Sequence, residues 1–498
     1  MRPVSIPNLQ VTPLPVKGLA LRLGYLVVVS AGLYALFSTW AYDDPFITYR
    51  YAGNLVRGLG FVYNPGERVL STTTPLFTLL LAFLGLFSPQ FPVWANLVGA
   101  VSLAAGGLFL WDLARSWQAP AVGWAGLLLY PTFPLLLTTL GSETPLYLAL
   151  CLGAFALYAR GRLLPAALCA ALAVLARPDG ALVAVLLAGD YLLRARRPIP
   201  WREAALFAGI LLAWAIFAWV YFGSPLPVTL AAKQQQGEMV VSQRFAPGFF
   251  TILRWYASLP YFLEAGLAAV GLVFAARRAP RWLLLLAWPV LYFAAYSALG
   301  VTRYFWYYAP LVPGFIAAVG LGVAAAGAGW RAASERRKDP SLPGSPPSVA
   351  WTGWTALAFL ALLFLAQVRS LEELRVQADQ RIRIYRAVGE WLQDNTLDED
   401  RVGALEVGII GYYARRPMVD FAGLIQPGVA AQLGEQTNYE DAALWAMEHY
   451  RPDYLVLQQG TFPRLEAGYV GRECRLAQHF PGEPYGYTGS LDVYACRK

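Results

Sequence analysis

Asp43-Asp44, Glu143 and Asp179 each lie beside an apolar run, where a carboxylate is costly and calls for an explanation. A carboxylate so placed can take a proton from an attacking hydroxyl. The cations grouped with them are Arg50, Arg57, Arg68, Arg177, Lys233, Arg244, Arg254 and Arg303. A cation near lipid headgroups can clamp a phosphate and stabilise the charge it gains on departure. Lys233 follows the loop residues Leu226-Pro227, and Arg303 opens the aromatic run Arg303-Tyr304-Phe305-Trp306-Tyr307-Tyr308. Structural roles compete with these. Arg177 and Asp179 could pair with each other, Glu143 could cap a helix, and Asp43-Asp44 could form a surface turn. Lys233, Arg254 and Arg303 could contact headgroups, and the aromatic run doubles as an interfacial belt. Glu264, inside an apolar run, is left without a role.

The segment after Asp43 is distinctive. Asp44-Pro45 opens a helix, with Phe46, Tyr49 or Arg50, and Gly53 at helical spacing. Gly58-Leu59-Gly60 ends it, and Phe61 to Arg68 reads as an extended piece closed by a turn. Gly58 and Gly60 make a poor dinucleotide fingerprint, because no strand–helix context surrounds them.

The elements that must position these residues are membrane helices. The chain has 498 residues, 57% hydrophobic and 14% charged, with a mean hydropathy of +0.45. Soluble domains carry about 25% charge, so a soluble enzyme, a disordered chain and a secreted disulfide scaffold are excluded. Eleven apolar stretches could span: 19–40, 93–114, 120–138, 144–159, 163–176, 180–193, 203–222, 257–276, 282–299, 304–328 and 351–368. The stretch 75–88 is short and reads as a juxtamembrane helix. The first span reads as an uncleaved anchor rather than a signal peptide. With this topology 17 basic residues fall on the N-terminal side and 8 on the other, which places the N-terminus in the cytoplasm. Asp43, Asp44, Glu143 and Asp179 then share the outer side. The stretches 144–159, 163–176 and 180–193 are too short to reach both surfaces. They predict the floor of a polar cavity open to the outside.

Residues 1–368 hold 25 Lys+Arg and 12 Asp+Glu, while residues 369–498 hold 14 and 19. The basic excess of the body reflects orientation in the membrane, not nucleic-acid binding. The expected organisation is a membrane domain over 1–368 and an extracytoplasmic α/β domain over 369–498. The first contains an outer loop over 41–92 and a cytoplasmic linker over 329–350. In the tail, 369–395 and 438–449 have helical spacing, Arg401–Leu405, Arg416–Asp420 and Tyr454–Leu457 read as strands, and Cys474 and Cys496 flank closing strands. Cys474 and Cys496 could form a disulfide in an oxidising space, whereas Cys151 and Cys169 read as core. His449 and His479 are too few for a His-rich metal site.

These motifs resemble the integral-membrane GT-C glycosyltransferases that use polyprenyl-phosphate sugars, above all the branch of the mycobacterial terminal arabinofuranosyltransferase. The resemblance runs through Asp43-Asp44-Pro45-Phe46-Ile47, Arg50-Tyr51-Ala52, Asn54, Gly58-Leu59-Gly60 and Tyr63-Asn64-Pro65-Gly66-Glu67. It continues in Gly141-Ser142-Glu143-Thr144, Arg177-Pro178-Asp179-Gly180, Leu226-Pro227 to Lys233, Arg303-Tyr304 and Val407-Gly408 to Tyr413. It implies an α-helical polytopic fold, about 11 transmembrane helices with juxtamembrane helices, carrying a small C-terminal α/β domain. It implies an inverting transfer from a polyprenyl-phosphate sugar to an envelope glycan, lipid or protein, at the outer face of a bacterial cytoplasmic membrane. Asp44 is the expected general base, with Asp43 second. Arg50, Lys233, Arg303 and Tyr304 are the donor-phosphate candidates. Glu143, Arg177, Asp179, Tyr51, Asn54 and Glu67 are the sugar or cavity candidates. No cofactor is firmly implied, although Asp43 and Asp44 could ligate a divalent metal. One departure stands out: Leu70-Ser71-Thr72-Thr73-Thr74 replaces the acidic residue and Gly that relatives commonly carry there. Two other functions compete. A lipid-linked-sugar flippase would need polar residues through both leaflets, and these cluster on one side. A non-catalytic envelope assembly protein would not need Asp43, Asp44 and the outer cations.

Overall fold

The computed structural model describes residues 16–38, 40–194, 196–336, 349–376 and 381–496. Among the described residues six helices are long and apolar enough to cross a membrane: Gly18–Phe37, Phe91–Ser116, Trp201–Phe222, Leu259–Arg278, Pro280–Leu299 and Phe305–Gly329. The expected span 351–368 lies within the 28-residue helix Val349–Val376, and the remaining expected spans are shorter or broken. The stretch 120–138 divides into the helix Pro120–Leu128 and a single turn, Pro134–Leu137. Pro131 lies in the gap, where a residue without an N–H cannot continue the helical ladder. The helices Thr144–Ala159, Leu163–Ala176 and Ala181–Gly189 have 16, 14 and 9 residues. The stretch 75–88 forms the 11-residue helix Pro75–Gly85. Of the linker expected over 329–350, residues 337–348 lie outside the described residues, and the helix Val312–Arg336 occupies its start.

Glycines let the bundle close. A Cβ on Gly271 would meet the Ala318 carbonyl oxygen at 1.9 Å, and one on Gly322 would meet that of Leu267 at 2.1 Å. The helices Leu259–Arg278 and Val312–Arg336 therefore touch backbone to backbone, as small residues permit in a membrane. The buried Asp112 accepts from Arg22 at 2.8 Å and pairs with Arg160 at 2.5 Å. Two cations on one carboxylate offset its burial and tie three helices together.

The C-terminal part holds a five-stranded sheet of β1 (Val402–Ala404), β2 (Met418–Asp420), β3 (Tyr454–Gln458), β4 (Cys474–Phe480) and β5 (Leu491–Cys496). The order is β2-β1-β3-β5-β4. β1 runs parallel to β2 and β3, while β5 is antiparallel to β3 and β4. Helices Ile409–Ala414 and Tyr439–Tyr450 make the parallel crossovers. Asn438 accepts from the Glu440 and Asp441 amides, and Asp441 accepts from the Asn438 amide, a capping box that fixes where the second crossover helix starts. Cys474 and Cys496 form a disulfide across β4 and β5.

Candidate active site

Asp44 opens the helix Asp44–Val56, with Pro45 in its first turn. Proline's fixed φ suits that position, and a carboxylate there faces the positive end of the helix dipole. Lys233 comes from the helix Val228–Glu238. That helix is held at its start by the Val228 amide donating to the Leu70 carbonyl at 3.0 Å. It is held further on by the Thr302 amide donating to the Lys233 carbonyl at 3.1 Å. The Lys233 ammonium donates to Asp44 Oδ2 at 2.8 Å. It also lies 4.5 Å from the Tyr304 ring centre and 5.2 Å from that of Trp306. Burial lowers the Lys233 pKa, but the Asp44 carboxylate and Tyr307 outweigh it, and the net shift is upward. Lys233 is therefore a permanent cation.

This pair borders a cavity of about 400 Å³, a size suited to a small ligand. Leu226, Pro227, Leu230 and Leu182 form one apolar side. Ser71, Thr72, Thr73, Thr74 and Thr229 supply hydroxyls on another. Among the described residues the buried hydroxyls of Ser71 and Thr229 have no hydrogen-bond partner. The sequence flagged 70–74 only as a departure, yet a run of four hydroxyl residues shortly after the Asp43-Asp44 motif is itself a signal for polar ligand contact.

Glu143, Arg177 and Asp179 line the same cavity. Arg177 donates to Asp179 Oδ2 at 2.9 Å and to Glu143 Oε1 at 3.4 Å. It also donates to the Tyr296 and Tyr292 hydroxyls, at 2.9 and 3.3 Å. Its guanidinium is thus saturated, and both carboxylates are held in fixed positions. Burial raises the Glu143 pKa, with Arg177 working against it.

A second cavity of about 260 Å³ adjoins the first, and Tyr42, Asp44, Trp306 and Leu424 line both. Arg303 and Tyr304 line the second, with Arg381, Glu406 and Tyr439 from the C-terminal part. Lys233 and Arg303, both donor-phosphate candidates, therefore line different cavities. Among the described residues the Arg303 guanidinium has no hydrogen-bond or ion-pair partner. The Tyr304 hydroxyl donates to Gln236 Oε1 at 3.0 Å, and Gln236 Nε2 donates to the Ala422 carbonyl at 2.9 Å.

Besides Arg303 and Tyr304, five candidates lie outside the first cavity, and of these only Asp43 lines the second. Arg50 is buried and donates to the carbonyls of Tyr63 at 2.9 Å, Arg416 at 2.6 Å and Gly411. Each of its three nitrogens is engaged by a backbone carbonyl, and it lines neither cavity. The Tyr51 hydroxyl donates to the Val69 carbonyl and accepts from the Ser71 amide at 3.1 Å. Asn54 donates to the Val62 and Tyr63 carbonyls, at 2.8 and 2.9 Å. Glu67 accepts from Asn64 at 3.1 Å. The fifth is Asp43. It accepts from the Gly408 amide at 2.8 Å and the Ile409 amide at 2.7 Å, at the start of the helix after β1. Burial raises its pKa, against the pull of those two amides. Neighbouring carboxylates thus have different commitments: Asp43 to the C-terminal backbone, Asp44 to Lys233. That division does not suit a shared metal. Among the described residues no group of three or more His, Cys, Asp or Glu could hold a metal ion.

The residues sequence reasoning missed at the first cavity are Tyr296, Tyr307 and Tyr42, which lie in apolar or aromatic runs and read as core or belt. Asn64 was missed as an anchor: it donates to the Met418 carbonyl and accepts from the Met418 amide, each at 2.9 Å, as a strand neighbour would.

A family model described as a domain of unknown function (DUF8728) matches residues 369–494. No curated protein matches the sequence. Among solved structures the chain is similar to ArnT from Cupriavidus metallidurans bound to undecaprenyl phosphate, with a TM-score of 0.60 and 13% identity over 97% of this chain and 98% of that one. The same protein in the apo state gives 0.59 and 15%, over 96% and 98%. The archaeal oligosaccharyltransferase AglB from Archaeoglobus fulgidus, in complex with an inhibitory peptide and a dolichol-phosphate, gives 0.58 and 15%, over 96% of this chain and 74% of that one. Both proteins are GT-C glycosyltransferases. At such identities the likeness shows the fold.

Proposed function

We propose that this chain is an inverting membrane glycosyltransferase. It moves a sugar from a polyprenyl-phosphate donor to an envelope glycan, lipid or protein at the extracytoplasmic face, with Asp44 as general base. The observation that carries this is the place of Asp44: on the wall common to two cavities, with Lys233 at 2.8 Å. A base between a donor chamber and an acceptor chamber is what direct transfer requires.

The donor occupies the first cavity. Its phosphate lies at Lys233, its lipid leaves over Leu226, Pro227 and Leu230, and its sugar hydroxyls meet Ser71, Thr72–Thr74 and Thr229. The acceptor hydroxyl enters from the second cavity. Its proton passes to Asp44 as its oxygen attacks the anomeric carbon. The bond from that carbon to the phosphate oxygen breaks, and its electron pair stays on the phosphate. Lys233, which remains protonated, stabilises that charge. Glu143, Arg177 and Asp179 form the floor. Arg303 and Tyr304 serve the acceptor side. The undecaprenyl phosphate of ArnT and the dolichol-phosphate of AglB support a lipid phosphate as ligand here. The resemblance to the arabinofuranosyltransferase branch makes polyprenyl-phosphate arabinofuranose the first donor to try. The excess of basic residues on the N-terminal side supports a cytoplasmic N-terminus. Residues 369–498 then form an extracytoplasmic unit covering the acceptor chamber.

The test uses the full chain in liposomes with a panel of polyprenyl-phosphate sugars and crude envelope acceptors. Release of polyprenyl phosphate from one donor, lost in Asp44→Asn, is expected. Equal release from Asp44→Asn would overturn the base assignment.

A further inference from the structure

A third cavity, of about 150 Å³, lies in the C-terminal part. Its walls include Ala404 at the end of β1 and Val456 to Gln458 at the end of β3. The chain leaves β1 for β2 on one side, then crosses to β3 on the other. This is the point where strand order reverses, and in open parallel sheets ligands bind outside the carboxyl ends of the strands at that point. The third cavity shares Arg381, Leu405 and Glu406 with the second. The second shares Asp44 with the first. Shared lining residues therefore link three chambers, from the cavity beside Asp44 and Lys233 to the sheet.

The lining identifies the ligand class. Tyr385 and Tyr487 present rings 6.5 Å apart at 68°. The Tyr487 hydroxyl donates to Gln458 Oε1 at 2.6 Å, which fixes the amide at the rim. Thr461 adds a hydroxyl. Arg381 pairs with Glu406 at 3.1 Å where the second and third chambers meet, so the charges of that pair cancel. Aromatic faces, an amide and a balanced ion pair suit a neutral, hydroxyl-rich ring, whose C–H face rests on an aromatic and whose hydroxyls both donate and accept. A nucleotide fits poorly. Its phosphate would seek the helix start after β1, and the Asp43 carboxylate fills that place.

We propose that this crevice is a subsite for a neutral sugar unit of the acceptor, at least one unit away from the hydroxyl that reacts at Asp44. The acceptor is then a glycan that threads from Asp44 past the Arg381–Glu406 pair. The proposal rests on the transferase function proposed above.

The experiment uses the full chain in nanodiscs. Arabino-, manno- and gluco-oligosaccharides of increasing length serve as acceptors, with polyprenyl-phosphate release as readout. KM is expected to fall at least tenfold once the acceptor is long enough to reach the crevice. Tyr487→Ala and Gln458→Ala should erase that step, and Tyr487→Phe should retain part of it. A length step of equal size in the alanine variants would overturn the proposal, as would transfer with no length step in any series. If no donor gives transfer, the transferase function fails, and saturation-transfer NMR of the same oligosaccharides decides the subsite separately. Binding lost in Tyr487→Ala supports it. No binding, or crevice-dependent binding of a peptide panel instead, overturns it.

Discussion

Asp43 and Asp44 are adjacent, identical in type and opposite in expected effect. Asp43 is 7% exposed and accepts two backbone amides. In Asp43→Asn one oxygen still accepts, while the new amide nitrogen faces a second N–H and leaves it unsatisfied. The loss is about 1–3 kcal/mol, toward the lower end because the neutral amide also removes the cost of burying a charge. For a unit the size of the C-terminal part this lowers the thermal midpoint by roughly 3–12 °C. Asp44 is 29% exposed, and its pair with Lys233 is partly solvated. Asp44→Asn should therefore change stability by less than about 1 kcal/mol. Losing a general base costs 10²–10⁴ in rate, about 3–5 kcal/mol of barrier. Differential scanning fluorimetry and single-turnover transfer in proteoliposomes, run well below the lower midpoint, separate the two effects. The expected pattern is a destabilised but active Asp43→Asn and a stable but inactive Asp44→Asn. The reverse pattern would refute the division of labour between them.

Lys233→Ala should lower turnover by about 10²–10³, the cost of removing one donor from a developing anion; a rate within threefold of wild type would count against its place at the phosphate. Arg50→Ala strands three buried carbonyls and should destabilise the C-terminal part by roughly 3–5 kcal/mol. Limited proteolysis should then cut that part first. Reducing the Cys474–Cys496 disulfide opens a loop of sequence separation 22, worth about 3 kcal/mol in the chain-entropy account. An unchanged midpoint in dithiothreitol would contradict this. Burial pushes Asp420 up to about 7 and raises Asp43 as well, from an unfolded value near ~3.9. Between those values the folded state holds protons that the unfolded state has released. Stability should therefore fall as pH rises from about 4 through 7, seen as a lower midpoint at alkaline pH.

Much of the helical body was legible because apolar length and proline placement are local properties. Thr144–Ala159 and Leu163–Ala176 match the expected bounds. The break within 120–138 was not, since hydropathy alone does not register Pro131. Asp44, Lys233, Glu143, Arg177 and Asp179 were legible as a group, because charges beside apolar runs are few. The roles of Arg50, Tyr51, Asn54 and Glu67 were not. A motif carries no sign of whether its donors meet a ligand or a backbone that returns hundreds of residues later. Arg50 meets Gly411, 361 residues away. The three strands expected in the tail exist, and the closing strands expected beside the cysteines are β4, which begins at Cys474, and β5, which ends at Cys496.

The seat of Asp43 has a consequence for synthesis. Its amide partners lie 365 and 366 residues further along the chain. During translation the residue next to Asp44 has no anchor until the ribosome has passed Ile409. Until then a growing chain, its helices already entering the bilayer, holds Asp43 unset and its second chamber without one wall. The protein is therefore armed last, after its membrane body is complete. Under the function proposed above, a truncated or stalled product would lie in the membrane without being able to consume lipid-linked sugar.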